Sequence, residues 1–325
     1  MKEKISRGWH FLPESCVSLP WRKQDIGMNR IILLVCMLVG CIAECRAQSM
    51  NYICCESDSA KVCELLSQDA GDNPVLFYAR RLTGIPYVGH TLEGNEPERL
   101  VINLHQLDCT TLVETVLALA RTHAGGRTAL QDYAMNLADL RYRGGQMNGY
   151  TSRLHYFDWW INDNIRRGNV VEVSDTKQCT ATFRVDNHYM TRHPDAYEHL
   201  KGRPERIDSI RMLEEAGNGG TFHYLPKHKT LLSKSHLGFI HDGDVIAIVT
   251  SKDGLDYAHL GFAVWGKDGK LHLLNASSIH KKVVEEPKTI HQYLKEHPSF
   301  LGIRVLRLSF SVYPPVPTSA WSSCE

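Results

Sequence analysis

The pattern of apolar and polar positions changes character along the chain. In the first two thirds the apolar residues fall mostly at helical spacing, and beyond residue 240 they come in short β-rich runs. Residues 57–70 and 73–83 read as two short helices, the second closed by Gly84. From Ile85 to Leu104 the chain carries Pro86, Gly89, Gly94 and Pro97 and reads as loop. A strong helix follows over 112–122, stopped by Gly125-Gly126. Residues 128–142 and 153–167 predict two more helices, the latter ending at Gly168, and the charged, His-rich stretch 186–217 also reads as helical. Residues 245–250, 259–265, 270–274 and 303–310 predict strands, with Lys267-Asp268-Gly269 marking a hairpin turn. Helices first and a strand meander afterwards is the order of an α+β domain. Residues 125–235 lie between the two parts as a mostly helical insertion, and no repeat or low-complexity block interrupts them.

Ahead of these elements, Met28-Asn29-Arg30 leads into the apolar run 31–43, and Glu-Cys-Arg-Ala precedes Gln48. A basic start, a short apolar core and a small residue at the cut are the parts of a secretory signal. Thirteen residues are too few to span a membrane as a helix. Residues 1–27, polar and ahead of a second Met, read as an upstream extension, so 1–47 is extension plus signal and 48–325 one elaborated domain. Leu38-Val39-Gly40-Cys41 also resembles the lipobox of bacterial lipoproteins, which would anchor the chain through an acylated Cys41. Either way the protein leaves the cytoplasm, to the periplasm or the medium. Its 37 Lys+Arg and 36 Asp+Glu sum to +1; residues 1–47 hold seven of the former and four of the latter, leaving −2 on the remainder. That balance argues against a nucleic-acid partner, which needs a basic face. No later stretch reads as a membrane span. Six cysteines follow Ala47, namely Cys54, Cys55, Cys63, Cys109, Cys179 and Cys324. No Cys-x-x-Cys occurs, so neither a zinc ribbon nor a redox pair is indicated, and Cys54 or Cys55 is the first candidate for any disulfide.

The segment richest in chemistry is Leu107-Asp108-Cys109-Thr110-Thr111-Leu112-Val113-Glu114. Thr111 and Glu114 have capping-box spacing, which sets a helix start within a residue or two of Cys109. The amides and positive end of that helix would favour a Cys109 thiolate and could bind an oxyanion. A small buried apolar residue is the ordinary alternative for a free Cys. A thiolate nucleophile needs a base, and the base an orienter. His259 opens one strand, and the next runs into Asn275-Ala276-Ser277-Ser278. Folding the hairpin about Asp268-Gly269 returns Asn275 to within one residue of register with His259, where its carbonyl could fix the imidazole tautomer.

Asp108-Cys109-Thr110-Thr111 opening a helix, Gly243-Asp244-Val245 opening a strand and His259-Leu260-Gly261 opening another occur in that order. In this the chain resembles the NlpC-type superfamily of papain-like cysteine peptidases and amidases. It is most similar to the N-acetylmuramoyl-L-alanine amidase-like branch, on Leu107 to Thr111 with Glu114, on Ser152-Arg153-Leu154-His155-Tyr156 and on Asn275 to Ser278. The resemblance covers roughly residues 85–310. It implies a papain-like α+β core, N-terminal helices on an antiparallel sheet, enlarged by the insertion. It also implies hydrolysis of the amide between N-acetylmuramic acid and L-alanine in muropeptides, without metal or organic cofactor. Cys109, His259 and Asn275 are the expected catalytic residues, and Asp108, Arg153, His155 and Tyr156 the expected substrate contacts. Tyr87 and Tyr150 are weaker candidates. Two features depart from the pattern: 150 residues separate Cys109 from His259, and Asn275 stands where the superfamily often has His. Three rivals remain open. A zinc hydrolase could use His188, His193 and His199, or His236 and His241, although no His-Glu-x-x-His is present. The others are a non-catalytic wall-binding protein and an endopeptidase cutting the stem peptide after D-glutamate.

Overall fold

The computed structural model describes residues 52–310, all within a compact unit spanning 50–325. The expected signal at 28–47, the lipobox Cys41 and Cys324 lie outside the described residues. The described chain begins with β1 (Tyr52–Ile53), α1 (Glu56–Leu66), α2 (Pro74–Arg81) and β2 (Leu100–Val101), which pairs in parallel with β1. Next come α3 (Cys109–Ala124), α4 (Leu130–Arg141) and α5 (Phe157–Arg166). Then follow β3 (Val170–Val173), β4 (Ala181–Arg184), α6 (Tyr189–Arg192), α7 (Pro204–Gly217) and β5 (Thr221–Pro226). The last part holds β6 (Val245–Thr250), β7 (Tyr257–Trp265), β8 (Leu271–Ser277), β9 (Lys282–Thr289), α8 (Ile290–Lys295) and β10 (Phe300–Leu308).

This is the α+β arrangement expected, built on one antiparallel sheet in the order β4-β5-β10-β6-β7-β8-β9, with β3 also paired to β10. Both faces are covered. Val245, Ala247, Val249 and Phe262 point toward the helices, while Ile246, Ile248 and Ala263 pack on the other side with Ile290 and Leu294 of α8. A strand buried on both faces loses its alternation, which is why Val245-Ile246-Ala247-Ile248-Val249 is continuously apolar.

At the centre of the helical layer is α3. Every residue from Thr111 to Thr122 is buried, so the helix is apolar nearly all round and rests on α1, α2, α4 and the β7–β8 pair. Its lone buried acid, Glu114, meets Arg141 of α4 at 2.6 Å, and that guanidinium also donates to the Val101 carbonyl. The capping box differs from expectation: it is Asp108 with Thr111, the side chain of each taking the other's backbone N–H.

Residues 125–235 are not mostly helical. They supply β3, β4 and β5 to the main sheet as well as α4, α5 and α7. All three are short, β3 and β4 are largely exposed or half-exposed, and none has an apolar run to announce it. Within 186–217, Pro194, Gly202 and Pro204 confine helix to α6 and α7. The helix expected from 153 begins only at Phe157, because Tyr156 is extended. Among the described residues no helix is long and apolar enough to cross a membrane.

Candidate active site

Cys109 occupies the first turn of α3, directly after the Asp108 cap. Burial chiefly, and the Asp108 carboxylate next, push its thiol up to about 12, while the Leu260 backbone amide and the Thr110 hydroxyl and amide pull the other way. The helix start therefore does not give the lowered thiol pKa expected from sequence, because desolvation and an adjacent carboxylate outweigh it.

His259, on β7, and Cys109 line the same cavity, of ≈ 210 Å³. Burial holds the His259 imidazole below its ordinary range, against the opposing pull of Asn275 and Glu286. Burial thus disfavours the charged form of both groups. His259 Nε2 lies 2.9 Å from Asn275 Oδ1. Asn275 is fully buried on β8 and donates through Nδ2 to Glu286 Oε1 at 3.1 Å. The β7–β8 register pairs Phe262 with Leu274, so its next step sets Asn275 against Gly261, two residues from His259 rather than one. Asn275 reaches His259 diagonally. Gly261 makes room for this, since a Cβ there would sit 2.6 Å from the Leu274 carbonyl and 3.0 Å from the Asn275 Cβ.

His155 and Tyr156 line the same cavity, beside Met190, Tyr197 and Asp256. His155 Nε2 faces the Tyr150 carbonyl at 2.9 Å, which makes Nε2 the protonated nitrogen and leaves Nδ1 as an acceptor. Burial, aided by the Arg153 charge, pushes it down to about 3, so it stays neutral and is unsuited to act as the base. Tyr150 is buried behind its ring, with centroids 4.3 Å apart. The Tyr156 hydroxyl donates to Glu214 of α7 and accepts from the Met190 amide, leaving its ring for the cavity.

Arg153 and Asp108 are not placed as expected. Arg153 is buried, grips Glu98 through Nε and Nη2, and adds Glu93 and the Leu92 carbonyl. It does not line the cavity, and its donors are taken. Asp108 serves its own helix. The candidate zinc histidines do not converge: His188 sits by Asp186 and Asp253, and His199 by Glu93 and Glu96. One Cys/Asp/His cluster with metal-compatible spacing occurs among the described residues, Cys55, Asp58 and His105 at the start of α1, outside the cavity.

Two acids escaped the sequence reading. Asp256, on the cavity wall, accepts from the Asp158 and Tyr257 amides and from Asn187, and burial raises it to about 6. Glu286 stands behind Asn275 on the edge strand β9. The signal for it was a carboxylate in Lys282-Val283-Val284-Glu285-Glu286-Pro287, a stretch whose charges and proline suit an edge strand.

A family model described as AmiA-like, N-acetylmuramoyl-L-alanine amidase-like, matches residues 78–303. No curated protein matches the chain. Among solved structures, an N-acetylmuramoyl-L-alanine amidase from Bacteroides uniformis is 43% identical with a TM-score of 0.68, over 73% of this chain and 97% of that one. A Bacteroides fragilis protein provisionally described as a xylanase is 41% identical with a TM-score of 0.66, over 71% and 99%. A Legionella pneumophila protein, 22% identical with a TM-score of 0.59 over 78% and 93%, shares the fold alone.

Proposed function

The chain belongs to the AmiA-like, N-acetylmuramoyl-L-alanine amidase-like family, and from that membership we propose a cell-wall amidase with Cys109, His259 and Asn275 as its catalytic residues. The bond cut is the amide between the lactyl carbonyl of N-acetylmuramic acid and L-alanine in peptidoglycan fragments. The observation that carries the mechanism is the 2.9 Å contact of His259 Nε2 with the buried Asn275 Oδ1, His259 itself lining the cavity that also holds Cys109. An amide oxygen can only accept, so Nε2 carries the hydrogen and Nδ1 is free to take the thiol proton. As that proton moves, the sulfur attacks the lactyl carbonyl, and the Cys109 amide at the helix start faces the developing oxyanion. The imidazolium then protonates the leaving L-alanine nitrogen, the C–N bond breaks and a thioester remains. Water adds to it with His259 as base, releasing the lactyl acid and restoring the thiol.

His155 and Tyr156 are the proposed substrate contacts, while Asp108 and Arg153 act by holding α3 and the 92–98 loop in place. The core is read as papain-like and NlpC-type, and the protein as exported to the peptidoglycan. A glycosidase reading, suggested by the Bacteroides fragilis relative, needs two carboxyl groups flanking the scissile bond. Among the described residues Asp256 is the one carboxylate lining the cavity, and both its oxygens are engaged.

Mass spectrometry of products from a defined muropeptide tests the proposal. The expected pair is a stem peptide beginning at L-alanine and a sugar retaining its lactyl acid, with none from Cys109→Ala. Alkylation at mildly alkaline pH should inactivate, chelators should not, and xylan should be untouched. Cleavage after D-glutamate would assign the endopeptidase reading, and loss of activity to a chelator alone would remove the cysteine mechanism.

A further inference from the structure

Behind the proposed catalytic residues lies a second row of polar contacts that the reaction scheme does not use. Glu286 is nearly fully buried on β9, with Oε1 3.1 Å from Asn275 Nδ2 and Oε2 3.1 Å from His280 Nε2. We propose that Glu286 is a positioning residue that fixes which end of the Asn275 amide meets His259, and through it which nitrogen of His259 carries the proton. This rests on the amidase reading above.

The argument is one of donors and acceptors. An Asn side chain can turn over and exchange its oxygen and nitrogen at little steric cost, and either end could face an imidazole. An ionised carboxylate only accepts, so the end of Asn275 facing Glu286 must be the NH2. The oxygen is thereby committed to His259, its Nε2 must donate, and Nδ1 is left as the base toward Cys109. Without Glu286 the amide is free to present NH2 to Nε2. That nitrogen then becomes the acceptor, the hydrogen moves to Nδ1, and the base is blocked. A wrong-tautomer histidine keeps its place and loses its function. Burial makes the choice firm, because an Asn275 NH2 left without a partner here would lose its hydrogen bonds to water with nothing in exchange.

The charged and titratable groups around this row are few. His259 is on β7, His272 on β8 touches the Glu286 carbonyl, and His280 holds the outer carboxylate oxygen. Tyr293 of α8 and His297 beyond it, with Asp108 on the α3 side, complete the field at Glu286 or His259. Among these His280 alone pairs with the Glu286 carboxylate, leaving its inner oxygen to Asn275.

The test uses the full exported chain with Glu286→Gln, Glu286→Ala, Asn275→Ala and Cys109→Ala on one muropeptide. Glu286→Gln keeps the shape, so it reports on function even if the alanine variant fails to fold. Loss of the negative charge weakens the imidazolium, so the acidic limb of the kcat–pH profile should move to lower pH in both Glu286 variants. The kcat should fall about tenfold or more in Glu286→Ala and less in Glu286→Gln, with KM within about twofold. Nitrogen-15 imidazole shifts should show His259 as Nε2–H in the natural protein and as a mixture of tautomers in Glu286→Ala. A purely structural Glu286 would lower the melting temperature and move none of these. Natural kcat, an unmoved acidic limb and an unchanged tautomer in both Glu286 variants, with Asn275→Ala impaired, would overturn the proposal. An active Cys109→Ala enzyme would instead overturn the amidase reading on which it rests.

Discussion

Replacing Gly261 by Ala is the smallest change that should disable the site without touching a reacting group. The added Cβ would lie 2.6 Å from the Leu274 carbonyl oxygen, 2.7 Å from Leu273 Cδ1 and 3.0 Å from the Asn275 Cβ. Carbon atoms pack at about 3.5–4.0 Å, so Asn275 must retreat by about 0.5–1 Å. The carbonyl belongs to the backbone opposite Phe262 and cannot swing aside as a side-chain tip would. His259 and Asn275 are 2.9 Å apart, and a retreat of that size stretches the contact to about 3.4–3.9 Å, at or beyond the limit at which it holds the ring. Overpacking of this kind costs about 1–3 kcal/mol of stability. A displacement of about 1 Å in a catalytic group costs on the order of 100-fold in rate. Gly261→Ala should therefore lose about 30–100-fold in kcat on a defined muropeptide, with KM close to natural, while urea unfolding shows a protein that still folds. Gly220→Ala, at a glycine with open space around its would-be Cβ, is the control and should change neither measurement. A folded Gly261→Ala enzyme with natural kcat would show that the diagonal His259–Asn275 contact does not support turnover.

Asn275→Ala should reduce kcat to between that of the natural enzyme and that of His259→Ala with little change in KM, since an orienter is not consumed. Asn275→Asp should shift the acidic limb of the pH–rate profile upward, because a carboxylate favours the imidazolium; unchanged kinetics in both variants would remove Asn275 from the site. Glu114→Ala leaves Arg141 buried without its partner and should cost about 3–5 kcal/mol in urea unfolding; a loss below about 1 kcal/mol would mean the guanidinium finds another acceptor. Asp256, raised to about 6 chiefly by burial, holds its proton more tightly folded than unfolded. Its contribution to stability is thus full at low pH and is lost as pH rises through about 6. Asp256→Asn should flatten the corresponding part of the stability curve between about pH 4 and 6, and an unaltered slope would refute that assignment.

How far the chain could be read in advance depended on the kind of signal each residue left. Central strands such as Val245–Thr250 announce themselves because burial on both faces demands unbroken apolar runs. The helix start at Cys109 was legible from its capping residues, whereas the strand expected to open at His259 begins two residues earlier at Tyr257. Hairpin geometry brought Asn275 near His259 because it limits where a strand can return. The register error of one residue came from counting the turn without the chain's own pairing. What stayed hidden was long-range and polar. Nothing near Arg153 in sequence says that Glu98 and Glu93 consume its guanidinium. Asp256 and Glu286 look like surface acids until the fold closes over them. The strands β3 and β4 were missed because Val170 is the one buried residue in them, and β5 because its buried positions are interleaved with polar ones over a short stretch.

Cys109 and His259, the proposed nucleophile and base, stand on a helix buried from Thr111 to Thr122 and on a central strand pair. The cavity wall is held differently. It is tied by side-chain polar contacts, Tyr156 to Glu214 and Asp256 to Asn187, with Arg153 and Glu98 linked behind it, between elements of the inserted segment and the loops around it. Such contacts can be exchanged one at a time without moving α3 or the β7–β8 hairpin. Changes in the 150–197 wall therefore alter what fits beside Cys109 while leaving the thiol, the imidazole and the amide behind them in register. On the proposed function, the integration of 125–235 into the main sheet anchors that wall to the same scaffold that holds Cys109 and His259.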